Sequence, residues 1–147
     1  MIALSRIYST GPIQNRYKPS ADSILINMVN NNLYKSTEVT VFVFALEGDK
    51  RILFSHCFIL PPNFSTEVEF SGGLTGVSAY EIQIEATNAS NNTVLLSVNG
   101  VTCSTQILDY QRFLHSELIP IPYLSLAKQD VKKKHVTKRR MRLHSKA

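Results

Sequence analysis

Tryptophan is missing from this 147-residue chain, cysteine occurs twice, and apolar residues never run on for long. Each shortage narrows the functions open to it. A membrane-spanning helix needs roughly 18 or more consecutive apolar residues, and no stretch approaches that length. A Sec-type signal needs a basic segment followed by a sustained apolar one. In MIALSRIYST the polar residues Ser5, Arg6 and Ser9 break any such run. The protein is therefore expected to reach a surface by another route, such as assembly inside a cell that later lyses. The absence of tryptophan counts against a sugar-binding module built on large aromatic rings.

Basic charge is also scarce, except in one place. From Lys128 to Ala147 there are nine Lys or Arg residues against one acid, Asp130, a local net of +8. Removing this from the chain's +5 leaves −3 on residues 1–127, from seven basic and ten acidic residues. The high pI belongs to the tail, so the body is not the electropositive platform that a nucleic-acid-binding fold presents. Within the tail, Lys132, Lys133, Lys134, Lys138, Arg139, Arg140 and Arg142 are the candidate polyanion contacts. No aromatic follows Tyr123, which removes the base-stacking platform of single-strand binders. Two readings stand: a solvated extension, or non-specific attraction to a polyanion that weakens steeply with salt.

What the sequence does have is strands. Between Ser23 and Ile121 it is punctuated by Gly, Pro or Asn clusters, with Val, Ile, Thr, Phe and Tyr between them. That rhythm predicts an all-β sandwich or barrel. Strands are expected at Ser23 to Val29, Thr37 to Leu46, Arg51 to Leu60, Thr66 to Phe70, Tyr80 to Thr87, Thr93 to about Cys103, and within Phe113 to Ile121. Thr37 to Leu60 reads as a hairpin across Glu47-Gly48-Asp49. Pro61 and Pro62 end its second strand, since neither donates a ladder hydrogen bond, and the chain is expected to change sheets there. The clearest alternation sets Tyr80, Ile82, Ile84 and Ala86 on a buried face and Glu81, Gln83, Glu85 and Thr87 on a solvated one. Asn99-Gly100 is either a bulge or a turn, and Gln106 to Phe113 is the one place for a helical turn. The expected fold is a two-sheet antiparallel β-sandwich, jelly-roll-like, at 23–121. An extended N-terminal arm (1–22) and a basic C-terminal tail (122–147) flank it. At this length one core is expected, burying roughly 68–70% of the extended chain's surface.

Arrangements that carry chemistry are not apparent. His56 and Cys57 are neighbours on a strand and point to opposite faces, so they cannot readily share a metal. His115-Ser116 and His144-Ser145 lack any triad signature. SGGLTG (Ser71 to Gly76) has no Lys-Ser/Thr and opens no helix, so it is a connection between sheets rather than a phosphate loop. The glutamate pairs Glu67/Glu69 and Glu81/Glu85 sit on strand faces expected to be solvated, not across a cleft. No metal, cofactor or catalytic activity is expected. Cys57 and Cys103 both fall in expected strands, as small core residues, as a disulfide, or as a cross-link to a neighbouring subunit. The sequons at Asn63, Asn88 and Asn91 matter only in a eukaryotic secretory pathway.

Four stretches together resemble a known group. Thr10-Gly11-Pro12, the hairpin VTVFVFALEGDKRILFSHCFILPPNFS, AYEIQIEA (Ala79 to Ala86) and LHSELIPI (Leu114 to Ile121) are similar to small spore-surface proteins of spore-forming Firmicutes, including β-sandwich subunits of endospore appendages and exosporium filaments. The likeness spans roughly Thr10 to Ile121. It implies a jelly-roll subunit of a spore surface layer or fibre, joined by extended N-terminal segments or sheet augmentation, with other spore-surface proteins as partners. Two departures are visible: no cysteine precedes Cys57, and the lysine-rich tail is foreign to such subunits. In MIALSRIY the apolar residues Ile2, Leu4 and Ile7, with Tyr8, form an imperfect strand donor for a neighbour's sheet edge; a disordered terminus is the alternative. Beside this fibre or homo-oligomer reading stand a capsid-like jelly roll with a nucleic-acid-neutralising arm and a small carbohydrate-binding sandwich.

Overall fold

The computed structural model describes residues 5–87 and 93–125, and over them the chain is an all-β sandwich of two antiparallel sheets. In chain order the strands are β1 (Ser5–Ser9), β2 (Ile13–Gln14), β3 (Ser23–Asn30), β4 (Thr37–Glu47), β5 (Asp49–Leu60), β6 (Phe64–Phe70), β7 (Ala79–Thr87), β8 (Val94–Val101), β9 (Ile107–Phe113) and β10 (Ile119–Ile121). One sheet runs β10-β1-β7-β4-β5, with β2 also on β7, and the other runs β6-β3-β8-β9. From β2 onward only β4–β5 and β8–β9 are hairpins; every other connection changes sheets. This is the winding expected of a jelly roll.

The period-two pattern of the inner strands makes the core. Val39, Val41, Val43 and Ala45 of β4 and Tyr80, Ile82, Ile84 and Ala86 of β7 share one cluster with Ile24, Ile26 and Met28 of β3 and Leu96 and Val98 of β8. All are at 2% exposure or less. The hairpin turns at Gly48, whose φ of +89° suits glycine. Past Pro61-Pro62 the chain does cross from one sheet to the other.

Two expectations are corrected, and one left open is resolved. Residues 5–14 are not an arm outside the core: β1 pairs with β7 from Ser5↔Thr87 to Ser9↔Gln83 and with β10 from Ile7↔Ile121 to Ser9↔Ile119. Thr10-Gly11-Pro12 is the kink between β1 and β2. Thr10 donates its N–H to the Ile82 carbonyl (3.0 Å) and its Oγ1 accepts the Ile82 N–H (3.0 Å), so the ladder continues through a side chain. Ile107–Phe113 is a strand, not a helical turn, and a 3₁₀ turn instead occupies His115–Glu117, ahead of β10. Asn99-Gly100 resolves as a bulge, where the β8–β9 register shifts. The expected turn at Asn88 to Asn92 lies outside the described residues.

A buried polar network closes one end of the sandwich. Gln111 of β9 donates from Nε2 to Asn15 Oδ1 (2.9 Å) and to the Gln14 carbonyl (3.2 Å), while its Oε1 accepts from the Tyr80 hydroxyl (2.6 Å). Asn15 in turn donates to the carbonyls of Ala21 (2.9 Å) and Val77 (3.1 Å) and accepts the Ala21 N–H (2.7 Å). Burial pushes the Tyr80 phenol well above its usual range, with the nearby Tyr110 adding to the effect. That shift favours the neutral phenol, the form that donates to Gln111. Gly100 lies beneath this network, and a Cβ there would stand 2.3 Å from Gln111 Oε1 and 2.9 Å from Gln111 Cβ.

Two substitutions test the network. Gly100→Ala is expected to cost about 1–3 kcal/mol by overpacking. Tyr80→Phe, which leaves Gln111 Oε1 without its donor, is expected to cost about 1–2 kcal/mol. Urea unfolding midpoints measure both, and unchanged midpoints would show that the network adds nothing to stability.

Candidate functional site

The outer face of the β10-β1-β7-β4-β5 sheet is not a plain solvated surface. Phe42 and Phe44 of β4 are buried there, 6% and 0% exposed, with rings 6.3 Å apart and nearly parallel. Register places Gln83 beside Phe42 and Glu81 beside Phe44. Both polar residues, expected in solvent, are buried. Glu81 accepts from the Ser9 hydroxyl (2.5 Å) and Gln83 Nε2 (3.1 Å), and pairs with Lys50 Nζ at 2.7 Å. Lys50 also lies 5.6 Å from the Phe44 ring centroid, a cation–π distance.

The chain's own C-terminal side reaches this face. Beyond β10 the backbone returns over the sheet, and Ser125 is held by three bonds. Its N–H donates to Gln83 Oε1 (3.0 Å), and its Oγ accepts from Gln83 Nε2 (2.8 Å) and Lys50 Nζ (3.0 Å). The basic run begins three residues later, at Lys128, so its root is tied to this face. Burial raises the Glu81 carboxyl's affinity for a proton, but hydrogen bonds from Lys50, Ser9 and Gln83 and the Lys50 charge outweigh it. The result is a carboxyl held below its ordinary range, acting as an anchor. Sequence reasoning missed this cluster because Ser9, Lys50, Glu81 and Ser125 are far apart in the chain.

The other half of the candidate site is the sheet's open side. β5 pairs only with β4, and β6, which ends the second sheet on the same side, pairs only with β3. Along the first half of β5, Lys50 and Arg51 carry charge, and a register shift opposite Val43/Phe44 leaves Leu53 unpaired. Charge and bulges are the devices that protect a sheet edge. From Ser55 to Leu60 there is no Lys, Arg, Asp or Glu, and Ile59 is 73% exposed. The opposite side differs, because its first sheet ends in the three-residue β10 and its second in β9, followed at once by the 3₁₀ turn.

The residues singled out from sequence are distributed as follows. Ile7 and Tyr8 lie in β1, with both strand edges already paired, so they are not a free donor for another copy. Ile2 and Leu4 lie outside the described residues, as do Lys132, Lys133, Lys134, Lys138, Arg139, Arg140 and Arg142. Cys57 and Cys103 are exposed free thiols rather than core residues or a disulfide. Cys57 lies on the outward face of the edge strand β5, and Cys103 lies past the end of β8. His56, next to Cys57, faces the other way, its ring 4.5 Å from that of Phe58. Among the described residues no group of three His, Cys, Asp or Glu side chains is placed to hold a metal.

No family model matches the chain, and no curated protein matches it. A solved structure of Thermotoga maritima 1070 is similar in outline, with a TM-score of 0.47 and 10% identity, covering 79% of this chain and 90% of that one.

Two measurements probe this face. Because the folded Glu81 carboxyl is depressed, it contributes stability above its unfolded value, and that contribution is lost as pH falls through the lower folded value. The stability difference between wild type and Glu81→Gln is therefore expected to hold at neutral pH and to shrink below pH 4.5; Lys50→Met is expected to cost about 1–2 kcal/mol at pH 7. A difference that does not vary with pH would remove the anchor role. For Cys57, the Thr40 hydrogen bond favours the thiolate, but burial and the Glu38 hydrogen bond (3.2 Å) and charge prevail and raise its pKa. In a Cys103→Ser background, Glu38→Gln is expected to speed thiol-reagent modification of Cys57 at pH 8. An unchanged rate would show that Glu38 does not control this thiol.

Proposed function

We propose that the chain is a structural subunit that self-associates edge to edge through β5 and docks by its basic run, Lys128 to Ala147, onto a polyanion. The observation that carries the reading is the uncharged half of the β5 edge, Ser55 to Leu60, with Ile59 exposed. Unpaired backbone N–H and C=O groups on such an edge are satisfied when another strand adds to it. A second copy of β5, antiparallel to the first, extends one sheet into the next. This replaces strand addition by the N-terminal segment, whose β1 is committed within its own sheet. The setting we infer is a spore-surface layer or fibre, supported by the resemblance of the hairpin and β7 segments to spore-surface subunits. The tail is rooted on the outer face at Ser125, beside the edge rather than across it, which leaves the edge to a neighbour while the charge engages a separate partner.

Analytical ultracentrifugation tests the first half. The wild type is expected to associate with rising concentration, and Ile59→Lys to sediment as a monomer with an unchanged melting temperature. A wild type that stays monomeric at hundreds of micromolar would overturn self-association. For the second half, replacing Lys132, Lys133, Lys134, Lys138, Arg139, Arg140 and Arg142 with Gln is expected to abolish polyphosphate binding while leaving association intact. Wild-type binding should fall steeply with salt.

A further inference from the structure

On the far side of the first sheet from β5, a cleft of about 570 Å³ opens between β1, the 3₁₀ turn and β10. Its walls include Arg6 and Tyr8 from β1, His115 and Ser116 from the turn, Leu118 just ahead of β10 and Pro120 within it. The size lies within the range of small-molecule sites, which run from about 300 to 1,000 Å³. Neither the assembly edge nor the Ser125 anchor uses any of these residues.

Arg6 is the unexplained group. Its register partner is Ala86, a core residue, so the arginine lies on the inward face of β1, where it is half-buried at the sheet's margin. Its Nε is shut away from solvent and has no hydrogen-bond partner. The ion pair found among the described residues, Lys50–Glu81, is on the opposite face of the sheet. A buried guanidinium nitrogen without an acceptor is unfavourable unless something supplies one, and the rest of this half-buried side chain faces the cleft.

Of the other polar side chains lining the cleft, His115 and Ser116 can each donate. His115 Nδ1 accepts the Leu96 N–H at 3.3 Å, so the proton of the neutral ring sits on Nε2. The ring is set edge-on against Tyr8, with centroids 5.0 Å apart. Burial lowers the His115 pKa and favours that neutral form. Ser116 adds a hydroxyl. No acid lines the cleft, and the nearby Glu117 instead accepts the Leu114 N–H at 3.0 Å. A cationic fork, an imidazole N–H and a hydroxyl beside Tyr8, Leu118 and Pro120 are complementary to an anion on a short apolar body. We infer that this cleft binds a small organic monocarboxylate, its carboxylate facing Arg6 and its body packed against Tyr8, Leu118 and Pro120. The planar guanidinium suits a carboxylate through paired N–H donors.

NMR titration of the full chain with benzoate, acetate, inorganic phosphate and neutral benzamide tests the assignment. Benzoate is expected to bind saturably and to shift the resonances of Arg6, Tyr8, His115 and Ser116. Benzamide, acetate and phosphate are each expected to bind at least tenfold more weakly, because each lacks either the charge or the apolar body. Arg6→Gln is expected to weaken benzoate at least tenfold, with Arg6→Lys falling between. Benzamide binding as well as benzoate would overturn the role of charge, and phosphate binding as well would overturn the carboxylate assignment. Should Arg6→Gln fail to fold, the wild-type shifts decide alone: shifts elsewhere, or no saturation, would overturn the site.

Discussion

Gln111 sets the constraint on which the sandwich turns. It is fully buried, and a buried amide must have its donors and acceptor satisfied or the fold loses more than the bond. Its partners are Tyr80 on β7, the Gln14 carbonyl on β2 and Asn15 just beyond it, and Asn15 carries the demand on to Ala21 and Val77. The amide therefore closes only when the N-terminal strands, the loop into β7 and the β8–β9 hairpin are all in place. At the opposite end Asn30 has the same role, donating to the carbonyls of Lys35, Leu60 and Pro61. The apolar core brings the sheets together, whereas these two side chains specify which connection crosses where. Tyr110 reinforces the first end by donating to the Pro19 carbonyl.

The inner strands were legible in the sequence because their pattern is local. Alternation over β3, β4 and β7 and turns at Gly48 and Pro61-Pro62 need no knowledge of distant residues, whereas Asn99-Gly100 reads as bulge or turn alike until its partner β9 is placed. The misread elements share the opposite property. β1 looks like an arm because its partners, β7 and β10, lie more than seventy residues away. β9 looks helical because Leu108 and Gln111, its buried positions, are three apart, and the second is polar. Glu81 and Gln83 look solvated because the groups that cover them, Ser9, Lys50 and Ser125, come from three other parts of the chain. The cysteines were misplaced for a related reason: Cys57 is on a strand, but that strand is an edge and Cys57 faces outward from it.

The two sides of the sandwich carry different obligations. On one side both ends of the described chain converge, as β10 pairs with β1 and the segment after it turns back to Ser125 on the outer face. That side is closed by short strands and the 3₁₀ turn, and the Arg6 cleft opens among them. The other side ends in the full lengths of β5 and β6, with no further strand of the described chain paired to them. A protein that must remain solitary protects such edges with charge along their length. Here the charge stops at Arg51, and the half-strand beyond it keeps an exposed isoleucine.

This division explains why the polar anchor lies on the outer face. If the C-terminal segment ran along β5 it would cap the edge and block a neighbour. It is held instead by Gln83 and Lys50, on the face where Phe42 and Phe44 are buried. Its charged continuation starts from a fixed point. Lys50 joins the two halves: it stands on the edge strand yet reaches over the face to Glu81 and Ser125. A strand added to β5 would lie beside that lysine, so edge pairing and tail anchorage meet at one side chain, and assembly can alter how firmly the tail's root is held.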